Sequence, residues 1–530
     1  MTQEEKIGQL FMIAGYVDPE YANREIGNPH IIQEIDNYIT QYHVGGIAYV
    51  GPSEYAKQVA LTNHYQEISK YPILIAQDLE WGLSMRIKEG MGFPKNITLG
   101  AIQDNSLIYE MGKEIGYQAK LIGVHMNLSP VLDVNIEPEN IVINVRSFGD
   151  SPLLVAEKGI AMIRGLQDSG IIASAKHFPG LGDITIDPHL ELPYSPHDKK
   201  RLQEVELYPF AQAIKAGVLS IQTEHFLVPS LESDIKIPAS LSPKIINDLL
   251  KKELGFTGLI LSGALRMKAL TKYFPEEEIV LKAFLAGSDM LLMPRDFPKA
   301  YQTLKTALAE GKITAADLNE RVLKILQMKE KVNLNLQRTV PLPTADDLHP
   351  SSASALRKKL YQTAVTLVRK NQYFTPFSLS EKNAIAYIQM GDDYPTDYLE
   401  ILNKQLSIDS FFFPLLSDNK KEEERLFQNI DKYSLIILAV YPADPRRIAE
   451  IRLMNEKNQK EELKQFRVHG MPESLIYLAN TLQRYQEKTI VTFFGNPFGL
   501  HFFDGYSTLI MAYEANPVAQ EAAAKILLSF

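Results

Sequence analysis

The sequence predicts an α/β protein: an N-terminal (β/α)8 TIM-type barrel over residues 1–335, then a smaller α/β sandwich domain with an open sheet over 381–530. Three observations carry this reading. At 530 residues the chain exceeds the size at which one hydrophobic core stops growing, so two domains are expected. Its first 335 residues alternate short apolar runs with helix-length amphipathic segments, the pattern of repeated β-α units. The apolar runs lack clean alternation, as strands buried on both faces do.

Eight runs read as strands: LFMIAG (10–15), GGIAYV (45–50), ILIAQD (73–78), IGVHMNL (122–128), IIASAKH (171–177), VLSIQTEH (218–225), GLILSG (258–263) and SDMLLMP (288–294). Helices are expected between them at about 31–41, 54–69, 105–120, 151–168, 201–215, 243–253 and 277–286, with another near 315–332. Eight strands each followed by a helix close into a barrel, and the polar residues agree. Asp78, Asn127, Lys176, His177, Glu224 and His225 all fall at or just past the C-terminal ends of these runs, the end at which barrel enzymes build their sites.

From Val332 to Pro350 the text turns polar and proline-bearing, VNLNLQRTVPLPTADDLHP, so 336–380 is read as a linker and a connecting helix at about 351–369. Five more apolar strands follow: AIAYIQM (384–390), SIDSFFF (407–413), SLIILAV (434–440), KTIVTFF (488–494) and STLIMAY (507–513). Helical segments separate most of them, which describes an open sheet covered on both faces. GNPFG at 495–499 follows a strand but lacks the GxGxxG spacing, so no nucleotide site is expected there.

Composition narrows the function classes. Hydrophobic residues make up 45% and charged residues 22%, without a long block of like charge, and the net charge of −9 argues against a nucleic-acid partner. No apolar run is long enough to span a bilayer, and MTQEEKIGQLFMIAG carries acids where a secretory signal carries bases, although a signal cleaved before Met1 would leave no trace. With no cysteine, disulfides, zinc–thiolate sites and a cysteine nucleophile are excluded, and the compartment stays open.

The chemistry-bearing stretch is IIASAKHFPGLGDITIDPHLELP, 171–193. Its strand delivers Lys176 and His177, the chain breaks on Pro179, Gly180 and Gly182, and Asp187 and His189 follow two residues apart. In an extended loop such residues project to one side, so the carboxylate can fix one imidazole nitrogen and leave the other to exchange protons with a substrate. A solvated loop histidine is the competing reading, and no neighbouring cluster has convincing metal-ligand spacing. Lys176 and His177 close a buried strand, where an ion pair with a neighbouring strand end is an equally good account. Asp78 and Arg146 read equally well as mutual structural partners.

As an ordered set these residues say more. KHFPGLGDITIDPH resembles the signature K-H-F-P-G-H-G-D-T-x-x-D-S-H of glycoside hydrolase family 3, in particular its bacterial β-N-acetylglucosaminidase (β-N-acetylhexosaminidase) branch. IGQLFMIAG, DLEWGLSMR against D-x-E-x-G-x-x-x-R, NLSPVLDVN, NVRSFGD, GFTGLILS and AGSDMLLMP match in order, and FFGNPFG and LIMAYEANPVAQEAAAKILL resemble the family's C-terminal domain. The resemblance implies His189 as general acid/base oriented by Asp187, and Asp78, Arg146, Lys176 and His177 as ligands of the terminal sugar. It further implies a retaining mechanism on terminal β-linked N-acetylglucosamine, as in peptidoglycan fragments, with a carbohydrate ligand as partner, no cofactor and no metal. A location in the bacterial cytoplasm, periplasm or cell envelope fits it. The end of the chain on a helix inside the resembled second domain leads to the expectation of further sequence beyond Phe530.

One departure outweighs the others. The family's nucleophile is the Asp after Ser or Thr in motifs such as S-D-D-L-x-M, and here Ser262-Gly263-Ala264-Leu265-Arg266-Met267 puts Gly263 there. Loss of a covalent nucleophile costs on the order of 10⁶ in kcat in another hydrolase class, about 8 kcal/mol. Leu181 replaces the second His of P-G-H-G, and Pro188 the Ser of D-S-H. Impaired hydrolysis is therefore expected, with Glu80, Glu224, the substrate's acetamido oxygen or a small anion as substitute nucleophiles. The alternative is a catalytically inactive saccharide-binding or interaction protein on the same fold.

Overall fold

The computed structural model describes residues 1–28, 30–184, 187–188, 191–371, 384–391, 393–415, 419–443 and 469–529. They form two compact units, Met1–Asn96 with Asp104–Leu356, and Ile97–Gln103 with Arg357–Phe530.

The first unit contains eight parallel strands, β1 (Phe11–Gly15), β2 (Gly46–Tyr49), β3 (Leu74–Gln77), β4 (Met126–Asn127), β5 (Ile172–Phe178), β6 (Ser220–Thr223), β7 (Leu259–Leu261) and β8 (Leu291–Leu292). Their order is β7-β6-β5-β4-β3-β2-β1-β8. A bridge between Leu261 and Met290, with the Ser262 N–H donating to Met290 O at 3.0 Å, joins the two ends into a barrel. All eight expected strands are present, and almost every strand residue is buried, as barrel walls clad in helices require. Interior space is filled by long side chains: a Cβ on Gly46 would lie 2.8 Å from the Met12 methyl and 3.0 Å from that of Met290. β4 is only two residues long because the Asn127 side chain continues the ladder, its amide accepting from Leu79 N and donating to Leu79 O at 3.0 and 3.1 Å. Asn127 is thus a structural residue.

The helices follow the expected spans, with instructive differences. Ser151 caps Pro152–Asp168 by accepting from Leu154 N, with proline in the first turn where no N–H is needed. The expected helix at 201–215 is two helices, Lys199–Glu204 and Leu207–Lys215, because Pro209 cannot donate to the carbonyl four residues back at Val205. Lys244–Glu253 is a π-helix that buries Ile245, Ile246, Leu249 and Leu250. Several helices were not expected, the longest of them Pro19–Ile26 and Phe297–Ala309. Both open on an aspartate cap with proline in the first turn, Asp18-Pro19 and Asp296-Phe297-Pro298, which is the signal that identifies them.

At the N-terminal end of the barrel, Lys329 is buried and donates to Gln9 Oε1 at 2.7 Å. Burial pushes its ammonium down to about 7. Between about 7 and the unfolded value of 10.5 the unfolded chain holds a proton that the folded chain lacks, so stability rises with pH across that window. Urea unfolding at pH 6.5, 8 and 9.5 is expected to show a positive slope for the parent that Lys329→Met removes.

The second unit holds a six-stranded sheet of β9 (Thr366–Arg369), β10 (Ile385–Gly391), β11 (Ile408–Pro414), β12 (Leu435–Val440), β13 (Thr489–Phe493) and β14 (Thr508–Met511), in the order β11-β10-β12-β13-β14-β9. It is parallel except for β9, which runs antiparallel to β14. Alternate residues feed two cores: Tyr387, Ile437 and Ile490 pack with the helices Asp397–Asn403 and Pro517–Leu528, while Ile388, Leu438 and Val491 pack with Lys420–Asn429 and Glu473–Leu482. The open, two-faced α/β sheet is as expected. The helix expected over 351–369 ends instead at Ala364, and Thr366–Arg369, rich in β-formers, joins the sheet edge. No helix among the described residues is long and apolar enough to cross a membrane.

Candidate active site

The C-terminal ends of β3, β4 and β5 place a ring of charge at one mouth of the barrel. Lys176, the fifth residue of β5, directs its ammonium to Asp78 Oδ1 at 2.6 Å and Glu80 Oε1 at 2.9 Å, both just past β3. Arg146, on a short turn Asn144–Arg146, grips Glu80 from the other side through Nε at 3.1 and 3.0 Å and Nη2 at 2.7 Å. Asn96 holds the turn by donating to Arg146 O at 2.6 Å. The Arg146 guanidinium also lies 3.3 Å from His177 Nε2. His177 Nδ1 meets Asp133 Oδ2 at 2.6 Å, and Arg86 closes the ring on Asp78 Oδ2 at 3.0 Å.

Asp78, Arg146, Lys176 and His177 are therefore brought together, though with different partners than the sequence offers at first sight. Arg146 pairs with Glu80, and Asp78 pairs with Lys176 and Arg86. Burial would raise both acids, but the cations prevail. Arg146 and then Lys176 hold Glu80 well below the usual carboxylate range, and Lys176 and Arg86 do the same to Asp78. Neither acid can donate a proton near neutral pH. Glu80 is also a poor nucleophile, because both its oxygens are committed to Arg146 and one of them to Lys176 as well. Asp78 is different: its side chain is 21% exposed against 1% for Glu80, so it is the carboxylate a ligand can reach.

Asp133 was not singled out in the sequence. Fully buried, it orients His177 and accepts from Leu181 N at 2.6 Å, pinning the start of the loop after β5. Val131 is bridged to Lys176, which brings Asp133 beside His177. An acid inside the apolar run NLSPVLDVN is the signal that finds it. The Arg266 guanidinium, donating to the Tyr16 hydroxyl, lies past β7 and was likewise not foreseen.

Of the proposed proton-transfer pair, Asp187 is half-buried, while His189 lies outside the described residues. The described residues Pro188 and Glu191 are tied to the segment after β7. Ala269 N donates to Pro188 O at 3.2 Å, and Glu191 accepts from Lys272 at 2.7 Å and from the Tyr273 hydroxyl. Among the described residues one group has metal-ligand spacing, Asp183, His197 and Glu206. The Arg201 guanidinium already bonds Asp183 at 3.1 Å and Glu206 at 2.7 Å, supplying the charge a metal ion would bring.

Gly263 ends the strand region of β7 beside His225. The His225 ring is fully buried; its Nε2–H donates to Ala264 O at 3.0 Å, and its Nδ1 meets the Ser240 hydroxyl at 2.6 Å. Glu224, also buried, donates through its backbone to Phe178 O at 2.9 Å, and its Oε1 accepts from His225 N at 2.8 Å.

Comparison with known proteins matches this arrangement to one family. The sequence profile of the glycosyl hydrolase family 3 N-terminal domain matches residues 2–328. Beta-hexosaminidase A of Pseudoalteromonas piscicida is 28% identical over 516 residues, 90% of this chain and 84% of its own length. The beta-hexosaminidase of Nitrosomonas eutropha is 34% identical over 277 residues, 50% of this chain and 77% of its own. A solved structure of a glycoside hydrolase family 3 beta-N-acetylglucosaminidase from a Paenibacillus species superposes with a TM-score of 0.79 at 27% identity, covering 100% of this chain and 97% of that one.

Proposed function

Because this chain belongs to glycosyl hydrolase family 3, we propose that its barrel mouth binds terminal β-linked N-acetylglucosamine, as found in peptidoglycan fragments. The observation that carries the reading is the run of Asp78, Lys176, Glu80 and Arg146, in which ionised acceptors and charged donors alternate, with His177 beside Arg146. Such a run suits the neighbouring hydroxyls of a sugar, each of which donates and accepts. Asp78 is the acceptor exposed to the ligand, and Glu80 and Asp133 hold the donors in place.

In the retaining scheme of the family, Asp187 and His189 form the proton-transfer dyad and a carboxylate attacks the anomeric carbon. Position 263 offers none, so hydrolysis by the usual route is impaired. With His225 packed against Gly263 and no room there for an added side chain, turnover depends on a carboxylate from another position, and the second reading is a saccharide-binding protein that lacks one.

Titration calorimetry with N-acetylglucosamine tests the binding function. The parent is expected to bind, and Asp78→Asn to bind at least about tenfold more weakly, the order expected for loss of a charge-assisted hydrogen bond. No heat of binding with the sugar or with muropeptide fragments would refute the proposal.

A further inference from the structure

We propose that Glu224 supplies the carboxylate that attacks the anomeric carbon, an assignment that rests on the sugar-binding function above and adds the residue that breaks the bond. Register places it. Gln222 on β6 pairs with Leu261 on β7 in the last pair of that ladder, so Glu224 and Gly263, each two residues further on, leave the C-terminal ends of adjoining strands. On the other side its N–H bonds Phe178 O, one residue past His177. Glu224 thus stands between the Lys176–His177 pair and the position without a carboxylate.

The side chain has the right direction and freedom. Ser220 Oγ meets Ser174 Oγ at 3.0 Å, so those residues share a face, and the two-residue period of a strand puts Glu224 on the face of Ser220. A glutamate is one methylene longer than the aspartate it would replace, which recovers part of the distance from the neighbouring strand. Its charge is also uncommitted. Among the described residues its carboxylate has one hydrogen-bond partner, the N–H of His225, and no cation within 4.0 Å. Glu80, by contrast, is bonded by two cations. A buried carboxylate compensated by a single peptide donor is costly to the fold, and such violations concentrate at functional sites.

The step balances without a cofactor. One Glu224 oxygen forms a bond to C1 of the terminal sugar as the C1–O bond to the aglycone breaks, its electron pair leaving on that oxygen, which takes a proton from the general acid assigned to His189. Water then gives a proton back to that group and attacks C1, and the C1–O bond to Glu224 breaks to return the carboxylate.

Turnover of an aryl β-N-acetylglucosaminide by the full chain, quenched and digested, is expected to leave one N-acetylglucosaminyl unit esterified to the peptide containing Glu224. Glu224→Gln, which keeps the acceptor for His225 N, is expected to lower kcat at least about a hundredfold, as loss of a nucleophile does, with affinity for N-acetylglucosamine retained by calorimetry. An adduct on another residue, parental turnover by Glu224→Gln, or a parent that binds sugar but yields neither product nor adduct overturns the assignment and leaves the binding function standing. A parent that binds no sugar removes both.

Discussion

Gly263→Asp is expected to lower unfolding stability by about 1–3 kcal/mol, the usual cost of overpacking a core, and Gly263→Ala by the same amount. An ideal Cβ at 263 falls 2.8 Å from both Cε1 and Nε2 of His225 and 2.9 Å from Thr223 O. The imidazole is no loose end, because Ser240 and Ala264 hold its two nitrogens. Ordinarily a strand glycine changed to alanine gains roughly 0.5–1 kcal/mol from reduced chain entropy; here the steric term is larger and sets the sign. Thermal melts of both variants check this, and a Gly263→Ala protein as stable as the parent would show that His225 yields freely. The pair also isolates the carboxylate. Gly263→Asp is expected to hydrolyse an aryl N-acetylglucosaminide at least about a hundredfold faster than Gly263→Ala, a fraction of the 10⁶ a nucleophile is worth, because His225 must first move aside. Equal rates would mean that a carboxylate at 263 cannot reach the sugar.

Glu80→Ala is expected to cost about 3–5 kcal/mol, the range for removing one member of a buried ion pair. Its loss strands two buried cations at once, Arg146 and Lys176, and only Lys176 keeps another carboxylate, Asp78. Urea unfolding at pH 7 measures the difference, and a cost below about 1 kcal/mol, the level of an exposed pair, would refute the central role given to Glu80. The pH dependence has a definite sign. Glu80 is held well below its ordinary 4.5, so its stabilisation is complete above that value and fades as pH falls from 4.5 through the folded value, where the unfolded chain takes up the proton first. Acid unfolding of the parent is therefore expected to be steeper than that of Glu80→Ala below pH 4.5.

Much of the barrel was legible in the residues because each strand is a local apolar run bounded by turn chemistry, and β1 to β8 lie within the runs read for them, except that β5 runs one residue further, to Phe178. The longest of the helices that escaped, Pro19–Ile26 and Phe297–Ala309, carry their caps openly, whereas β9 did not: TLVR continues a helical text and becomes a strand only because β14 offers an open edge. At the site, the clustering of Asp78, Lys176 and His177 followed from their places at strand ends, whereas Arg146, on the turn Asn144–Arg146, joined them only through the resemblance. Asp133 stayed hidden, since nothing near it in the chain shows that an acid in an apolar run will meet a histidine 44 residues away.

By itself the sequence determined the alternation that makes a barrel, the end of it that carries charge, and the lack of a carboxylate at 263, because periodicity, strand-end polarity and residue identity are local properties. Only the tertiary structure decided which acid meets which base. Arg146 reaches Glu80 across 66 residues and His225 reaches Ala264 across 39 because β-α connections carry the chain away and barrel closure brings strand ends back side by side. The same closure seats His225 against Gly263, a neighbour that no spacing along the chain specifies.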